Sequence, residues 1–255
     1  MGEIGRTFVA TYVDGFRIVR DLWSTVLLSL VAVFATNFVG GLFQAFVPTQ
    51  VGDALVTTLA AVAAQWLCAP YTVAQYRYLF FGERVPWPSL FERSATVDRV
   101  FAWCAIVTFV WAVPVLMLIL TRHQGDGPIY YRGPNPPSTH SNTGSVAFLV
   151  VFIAISMLRL VTLIPGTAFG TAPTIKRAVA DGRGHFWVIA GTQFLIMLPL
   201  GVALIFVFMS RALLPMPGLL AQPISLLVLG SVANVLSVAA GAQFYRRLVL
   251  MRGSD

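Results

Sequence analysis

Charge is what this sequence has least of. Asp, Glu, Lys and Arg make up 11% of its 255 residues, where a water-soluble domain of that length carries roughly 25% to coat its surface. The shortage excludes a globule dissolved in water. It also excludes a disordered chain, because disordered segments are polar and poor in aromatics. Cysteine is nearly absent: Cys68 and Cys104 fall in or beside apolar runs, where they read as small buried hydrophobes and supply no disulfide or metal framework. Lysine occurs once, at Lys176, against 16 arginines. With the abundant Ala and Gly, that bias points to a bacterial source.

What fills the space is hydrocarbon, at 57% apolar residues and a mean hydropathy of +0.79. A helix needs about 20 mostly apolar residues to cross a bilayer, and six runs qualify: 24–47, 54–75, 100–120, 146–164, 186–209 and 223–244. Backbone groups in lipid must bond internally, and the alternation of a membrane barrel is missing, so helices are expected. Ahead of the first run, Ile4, Phe8, Tyr12, Phe16 and Val19 recur at three- and four-residue spacing, with Arg6, Asp14, Arg17 and Asp21 off that stripe. The pattern predicts an amphipathic helix on the membrane surface. The expected fold class is therefore all-α: a polytopic transmembrane helical bundle of about six spans. Residues 1–22 form the interfacial amphipathic helix and 23–255 a single six-helix membrane domain.

The net charge of +7 would point to nucleic acid in a soluble protein. Here the cations sit in separate short loops and make no stripe, so no nucleic acid partner is expected. With the N-terminus inside, 13 Lys and Arg residues fall on the inner side and 3 (Arg122, Arg132, Arg211) on the outer. This asymmetry predicts a multi-pass protein of the bacterial inner membrane with both termini cytoplasmic. The outer loop 121–145 is rich in Gly, Pro, Ser and Asn and reads as irregular. In the inner loop 76–99, Ser89 is placed to cap a short helix from Leu90, with Trp87 and Phe91 at headgroup level. Spans two and six leave through similar words, VAQYRYLFFG at 73–82 and GAQFYRRLVL at 241–250, and span four through TAPTIKRAV. Together they hint at three related hairpins.

The six runs contain no Asp, Glu, Lys or His. That leaves no carboxylate for a proton- or sodium-coupled carrier and no serine–histidine pair for intramembrane proteolysis. Their one charged side chain is Arg159, close enough to the inner surface to snorkel. Asn37, Gln44, Gln65, Gln193 and Asn234 read as hydrogen-bonding glue between helices, and Pro70, Pro114 and Pro199 as kinks. His123, Asp126 and His140 lack metal-ligand spacing, so no metal or cofactor is expected. Asp181–Gly182–Arg183 imitates the start of a CDP-alcohol phosphotransferase motif but lacks the downstream aspartates. The stretch from Val179 to Pro199 imitates the coupling loop of ABC permeases but has Ala178 where that loop has Glu.

The stretch TAPTIKRAVADGRGHFWVIAG, 171–191, is the most distinctive in the chain. Gly170 and Pro173 end span four, 174–181 form a short surface helix, and Gly182–Arg183–Gly184 reverses the chain. Phe186 and Trp187 then anchor span five as interfacial aromatics, as Trp87 does in the preceding inner loop. Arg159, Pro165, Ala172, KRAVADGRG, Phe186–Trp187 and Pro199, together with CAPYTVAQYRYLFFGE at 68–83, resemble a group of six-span bacterial inner-membrane proteins. That group is related to the glycerophosphodiester phosphodiesterase membrane domain. The resemblance implies a helical membrane module without catalysis of its own.

The expected function is that of a non-enzymatic integral inner-membrane protein organising lipid or partner proteins. The alternative is a transporter or permease component moving a lipid or small solute. Arg77, Arg159, Lys176, Arg177 and Arg183 are the expected contacts to anionic lipid or a partner. Besides membrane lipids, a membrane-protein partner or a second copy of the chain is the expected company.

Overall fold

The computed structural model describes residues 2–44, 46, 50–86, 89, 92, 94–123, 153, 158, 160–171, 173–213 and 221–250. Every regular element among them is helical: α1 Glu3–Asp21, α2 Trp23–Gln44, α3 Gln50–Phe81, α4 Ala95–His123, α5 Leu163–Ala168, α6 Ile175–Asp181, α7 Phe186–Leu213 and α8 Ala221–Tyr245. The last continues as a π-helical turn, Arg246–Leu250.

Among the described residues, four helices are long and apolar enough to cross a membrane: Trp23–Phe43, Ala54–Phe81, Phe186–Val207 and Val228–Leu250. These lie on the expected first, second, fifth and sixth runs. The third run, 100–120, falls within α4, which is unbroken from Ala95 to His123. Most of the fourth run, 146–164, lies outside the described residues, as do 124–145 of the outer loop.

The distribution of apolar side chains carries the membrane reading. Trp23, Phe38, Leu59, Phe194, Ile205 and Phe206 all point outward and are exposed, a surface that water would penalise and that hydrocarbon solvates. The interior, by contrast, sets small residues among its larger ones. Ala69, Ala74, Ala239, Ala240 and Ala242 are buried, which lets backbones approach where no hydrophobic force draws helices together in lipid. Two contacts set α2 and α3 in antiparallel register, Gly40 against Ala60 and the Ser29 carbonyl accepting from Cys68 Sγ at 3.7 Å, and Asp21 at the end of α1 meets Tyr78 of α3.

α8 is the centre of the bundle. Half of its apolar window is buried, against 11 to 18% in the other three spans. One face packs Val235, Val238, Ala239 and Ala242 on Ile18 of α1, Val73 and Tyr76 of α3 and Val100 of α4. The other packs Leu236, Ala240 and Phe244 on Ile189 and Ile196 of α7, with Phe8 and Tyr12 alongside.

α1 forms over the expected residues but presents a different face to the bundle. Thr7, Thr11, Gly15 and Ile18 are buried, each one residue before the apolar stripe of Phe8, Tyr12, Phe16 and Val19. A one-residue offset is a rotation of about 100°. Small side chains explain it: a Cβ on Gly15 would come 2.9 Å from Leu236 Cδ2, so that face can sit flush on α8. The threonine hydroxyls donate to their own helix, Thr7 to the Glu3 carbonyl at 2.9 Å and Thr11 to the Thr7 carbonyl at 2.8 Å. Asp14, expected on the polar outer face, is buried with them. Phe16 and Val19 are left exposed.

Local details differ or add to the expectation. The Ser89 hydroxyl donates to the Pro86 carbonyl at 2.8 Å, and the helix expected from Leu90 lies outside the described residues. Ser94 caps α4: its Oγ accepts from the Val97 N–H at 3.3 Å, and the helix starts at Ala95. Asn37 is not glue between helices, because its amide donates back to the Val33 carbonyl at 2.9 Å. The 171–191 turn follows the sequence closely. Thr174 Oγ1 caps α6 by accepting from Arg177 N–H, and Gly170 and Gly184 take the left-handed φ values of +96° and +86° that glycine accommodates.

Candidate functional site

The chemistry-bearing residues gather where α3, α5 and α8 end, at one end of the bundle. Phe80 and Phe81 close α3, Phe169 follows α5, and Tyr245 closes α8. Their rings meet, with centroids 5.3 Å apart for Phe80–Phe169, 5.1 Å for Phe81–Phe169, 5.6 Å for Phe80–Tyr245 and 5.5 Å for Phe169–Tyr245. The exits of expected spans two, four and six, alike in the sequence, thus converge on one aromatic knot. Edge-to-face and tilted pairs of this kind contribute about 0.5–1.5 kcal/mol each beyond the area they bury.

Arg246 ties the knot to α1. Its guanidinium lies 5.6 Å from the centroid of the Phe80 ring, a cation–π distance. It donates to the Leu79 carbonyl, one of the last four carbonyls of α3, which have no partner within their own helix. A cation there also meets the negative end of the helix dipole. The same guanidinium donates to Asp14 Oδ2 at 3.1 Å, and Gln243 Nε2 donates to that oxygen at 2.6 Å. The other carboxylate oxygen faces Arg17 at 3.6 Å. Asp14 thus has two hydrogen-bond donors on Oδ2 and a guanidinium facing Oδ1, partners that offset the cost of burying it.

A second carboxylate stands at the α1–α2 bend. Asp21 accepts from Arg20 through Nε at 2.7 Å and Nη2 at 3.0 Å, and from the Tyr78 hydroxyl of α3. Arg84 lies 4.0 Å away. The hydrogen bonds from Arg20 and then Tyr78 hold the Asp21 carboxyl well below the usual carboxylate range. The same pairing raises the Arg20 guanidinium above its ordinary value.

No family model, no curated protein and no solved structure matches this chain.

The residues expected from sequence divide. Lys176 and Arg177 on α6 and Arg183 in the following turn are exposed, and none has an ion-pair partner among the described residues. Trp187 is 81% exposed and Phe186 stands edge-on beside it at 5.2 Å, the arrangement expected of an interfacial anchor. Arg77 is exposed but already paired, at 2.9 Å, with Glu83. Arg159 and Trp87 lie outside the described residues. Among the described residues no group of three His, Cys, Asp or Glu could hold a metal ion.

Sequence reasoning missed Asp14, Gln243 and Arg246. The signal was present in two places: the spacing of Thr7, Thr11, Asp14 and Ile18, which is a helical face of its own, and the shared Ala–Gln–aromatic word at 74–76 and 242–244. Gln75, the counterpart of Gln243, is fully buried in α3 with both amide atoms lacking a partner among the described residues.

Proposed function

We propose that this chain is a non-catalytic, multi-pass protein of the bacterial inner membrane that organises anionic lipid or a partner protein at its cytoplasmic face. In this reading it has six spans, an N-terminal helix at the interface and both termini inside. The observation that carries the reading is the use made of charge at one end of the bundle. Asp14 and Asp21 are consumed in holding α1, α3 and α8 together, whereas Lys176, Arg177 and Arg183 are exposed. Exposed cations beside an aromatic anchor suit a surface of anionic headgroups, at about 1 kcal/mol for each cation.

The test is reconstitution of the full chain in nanodiscs of phosphatidylcholine with and without phosphatidylglycerol. The K176Q/R177Q/R183Q variant should lose enrichment of the anionic lipid around the protein. Equal enrichment in both proteins, together with no partner recovered on mild cross-linking in cells, overturns the proposal. Reporter fusions at residues 135 and 255 should report opposite compartments.

A second reading, a permease component for a lipid or small solute, is favoured by one feature. An apolar groove of about 540 Å³ between α2 and α3 is lined by Val39, Gly40, Phe43, Val56, Leu59 and Ala63, among others. Lipid scrambling or solute flux in proteoliposomes, lost on Gly40→Leu, would select this reading over the first.

A further inference from the structure

Three arginines meet at a groove between α1 and the end of α8. Its volume is about 400 Å³, and it is lined by Arg6, Val9, Val13, Arg17, Gln243 and Arg246, with Asp14 at its floor. Three arginines and one carboxylate line it, so the groove keeps a positive balance. That carboxylate is only 6% exposed, and both of its oxygens are engaged, by Arg17 on one side and by Gln243 and Arg246 on the other. Asp14 thereby holds two of the arginines in place and is screened from whatever enters. Arg6 has no ion-pair partner among the described residues.

A second groove of about 470 Å³ runs along the opposite flank of the same α1 ridge. It shares Val9, Val13 and Arg17 with the first and adds Phe8, Tyr12, Phe16 and Arg20, the last paired with Asp21. One flank is thus basic and the other mainly aromatic and aliphatic, and the exposed ridge of Val9 and Val13 lies between them. Beyond the bend at Leu22 the ridge leads to the outward-facing Trp23, Leu27 and Val31 of α2.

We propose that this two-sided groove binds a phosphate ester, held by the Arg6 and Arg17 forks beside Arg246, and that the ester is the headgroup of an anionic phospholipid whose acyl chain lies along Phe8, Tyr12 and Phe16. Guanidinium forks match phosphate oxygens in pairs. The apolar flank gives the site a use for the rest of an amphiphile, which free phosphate lacks. The inference deepens the lipid-organising reading and rests on it, but it assigns the lipid to residues other than Lys176, Arg177 and Arg183.

The experiment uses the full chain in uncharged detergent, titrated with short-chain phosphatidylglycerol, short-chain phosphatidylcholine or inorganic phosphate, with the thermal midpoint as readout. Phosphatidylglycerol should raise the midpoint of the wild type, and R6Q/R17Q should weaken its apparent affinity about 30-fold, the loss expected of two cationic contacts. R6K/R17K, which keeps the charge but loses the fork, should fall between the wild type and R6Q/R17Q. Arg6 has no ion-pair partner among the described residues, so the lipid-free midpoint of R6Q should match the wild type. Arg17 faces Asp14 at 3.6 Å, so that of R6Q/R17Q should fall, and each lipid shift is read against the variant's own lipid-free midpoint. If inorganic phosphate shifts the midpoint as well as the lipid does, the ligand is free phosphate and the lipid assignment is overturned. Wild-type affinity in R6Q/R17Q, with loss in K176Q/R177Q/R183Q, overturns this site while the broader reading stands. No preference for phosphatidylglycerol over phosphatidylcholine in any protein overturns both.

Discussion

The ends of α3 and α8 carry nearly the same word and use it differently. In both, an alanine is buried (Ala74, Ala242), a glutamine follows (Gln75, Gln243), and an aromatic packs inward (Tyr76, Phe244). Gln243 donates to Asp14 at 2.6 Å; Gln75 has no partner among the described residues. Three positions after its glutamine, α8 places Arg246 on Asp14, the Leu79 carbonyl and the Phe80 ring. α3 places Tyr78 there, on Asp21. The same local pattern becomes a polar tie where α1 supplies a carboxylate and an unpaired amide where it does not. Similar words therefore fix which side faces inward, and the neighbouring helix fixes what that side does.

The largest way to break this contrast is to remove the shared carboxylate. Asp14→Ala should cost about 2–3 kcal/mol of stability in mixed micelles, somewhat less than a fully buried broken pair because Arg246 keeps 31% of its side chain exposed. Denaturing-detergent titration measures it, and a variant as stable as wild type would mean that α1 is not tied to α8 in this way.

The next test concerns how closely the two words approach. A Cβ on Gly241 would lie 2.6 Å from the Tyr76 hydroxyl, and Tyr76 is itself buried and stacked 6.0 Å from Phe80. Gly241→Ala should cost about 1–2 kcal/mol through overpacking. Tyr76→Phe in the same chain should restore part of that, and a double-mutant cycle measures the coupling. Strict additivity would show that the helices are not in contact there.

The two glutamines should then respond with opposite signs. Gln75→Leu should raise stability by about 1 kcal/mol, because an unpaired buried amide carries its full desolvation cost. Gln243→Leu should lower it by a similar amount, because Asp14 loses a donor. Like signs in the same unfolding assay would erase the distinction between the two ends.

The smallest effect is on pH dependence. Asp21 is held below the usual carboxylate range when folded, so its contribution is fully present above the ordinary carboxylate pKa near 4. That contribution is lost as the pH falls from there toward the lowered folded value. Asp21→Asn should flatten the acid limb of a pH–stability curve over that window and leave neutral pH little changed. An unaltered acid limb would mean that Arg20 and Tyr78 do not act on Asp21 in solution.

Much of the architecture was legible because lipid imposes a simple rule on composition. Runs 24–47, 186–209 and 223–244 begin or end within a few residues of α2, α7 and α8, since an apolar stretch of that length has few other conformations open to it in a bilayer. The turn from Gly170 to Trp187 was legible for local reasons: glycine at positive φ, threonine as cap, aromatics at the helix start. The candidate site was much less so. The stripe of Phe8, Tyr12 and Phe16 drew attention by its hydrophobicity, but α1 packs through Thr7, Thr11 and Gly15, because close approach in a small-residue bundle depends on size more than on apolarity.

By itself, then, the sequence determined that this chain is helical and too apolar for water. It also determined that all but one of its cations lie outside the apolar runs and where the main turns fall, because each of these depends on residues near one another in the chain or on bulk composition. Only the tertiary structure decided that Asp14, Leu79, Gln243 and Arg246 form one tie and that the rings of Phe80, Phe169 and Tyr245 share one knot. Those partners are separated by 76 positions (Phe169 and Tyr245) to 232 (Asp14 and Arg246). No local pattern encodes which of several arginines a buried carboxylate will meet; helix rotation and the depth of packing do.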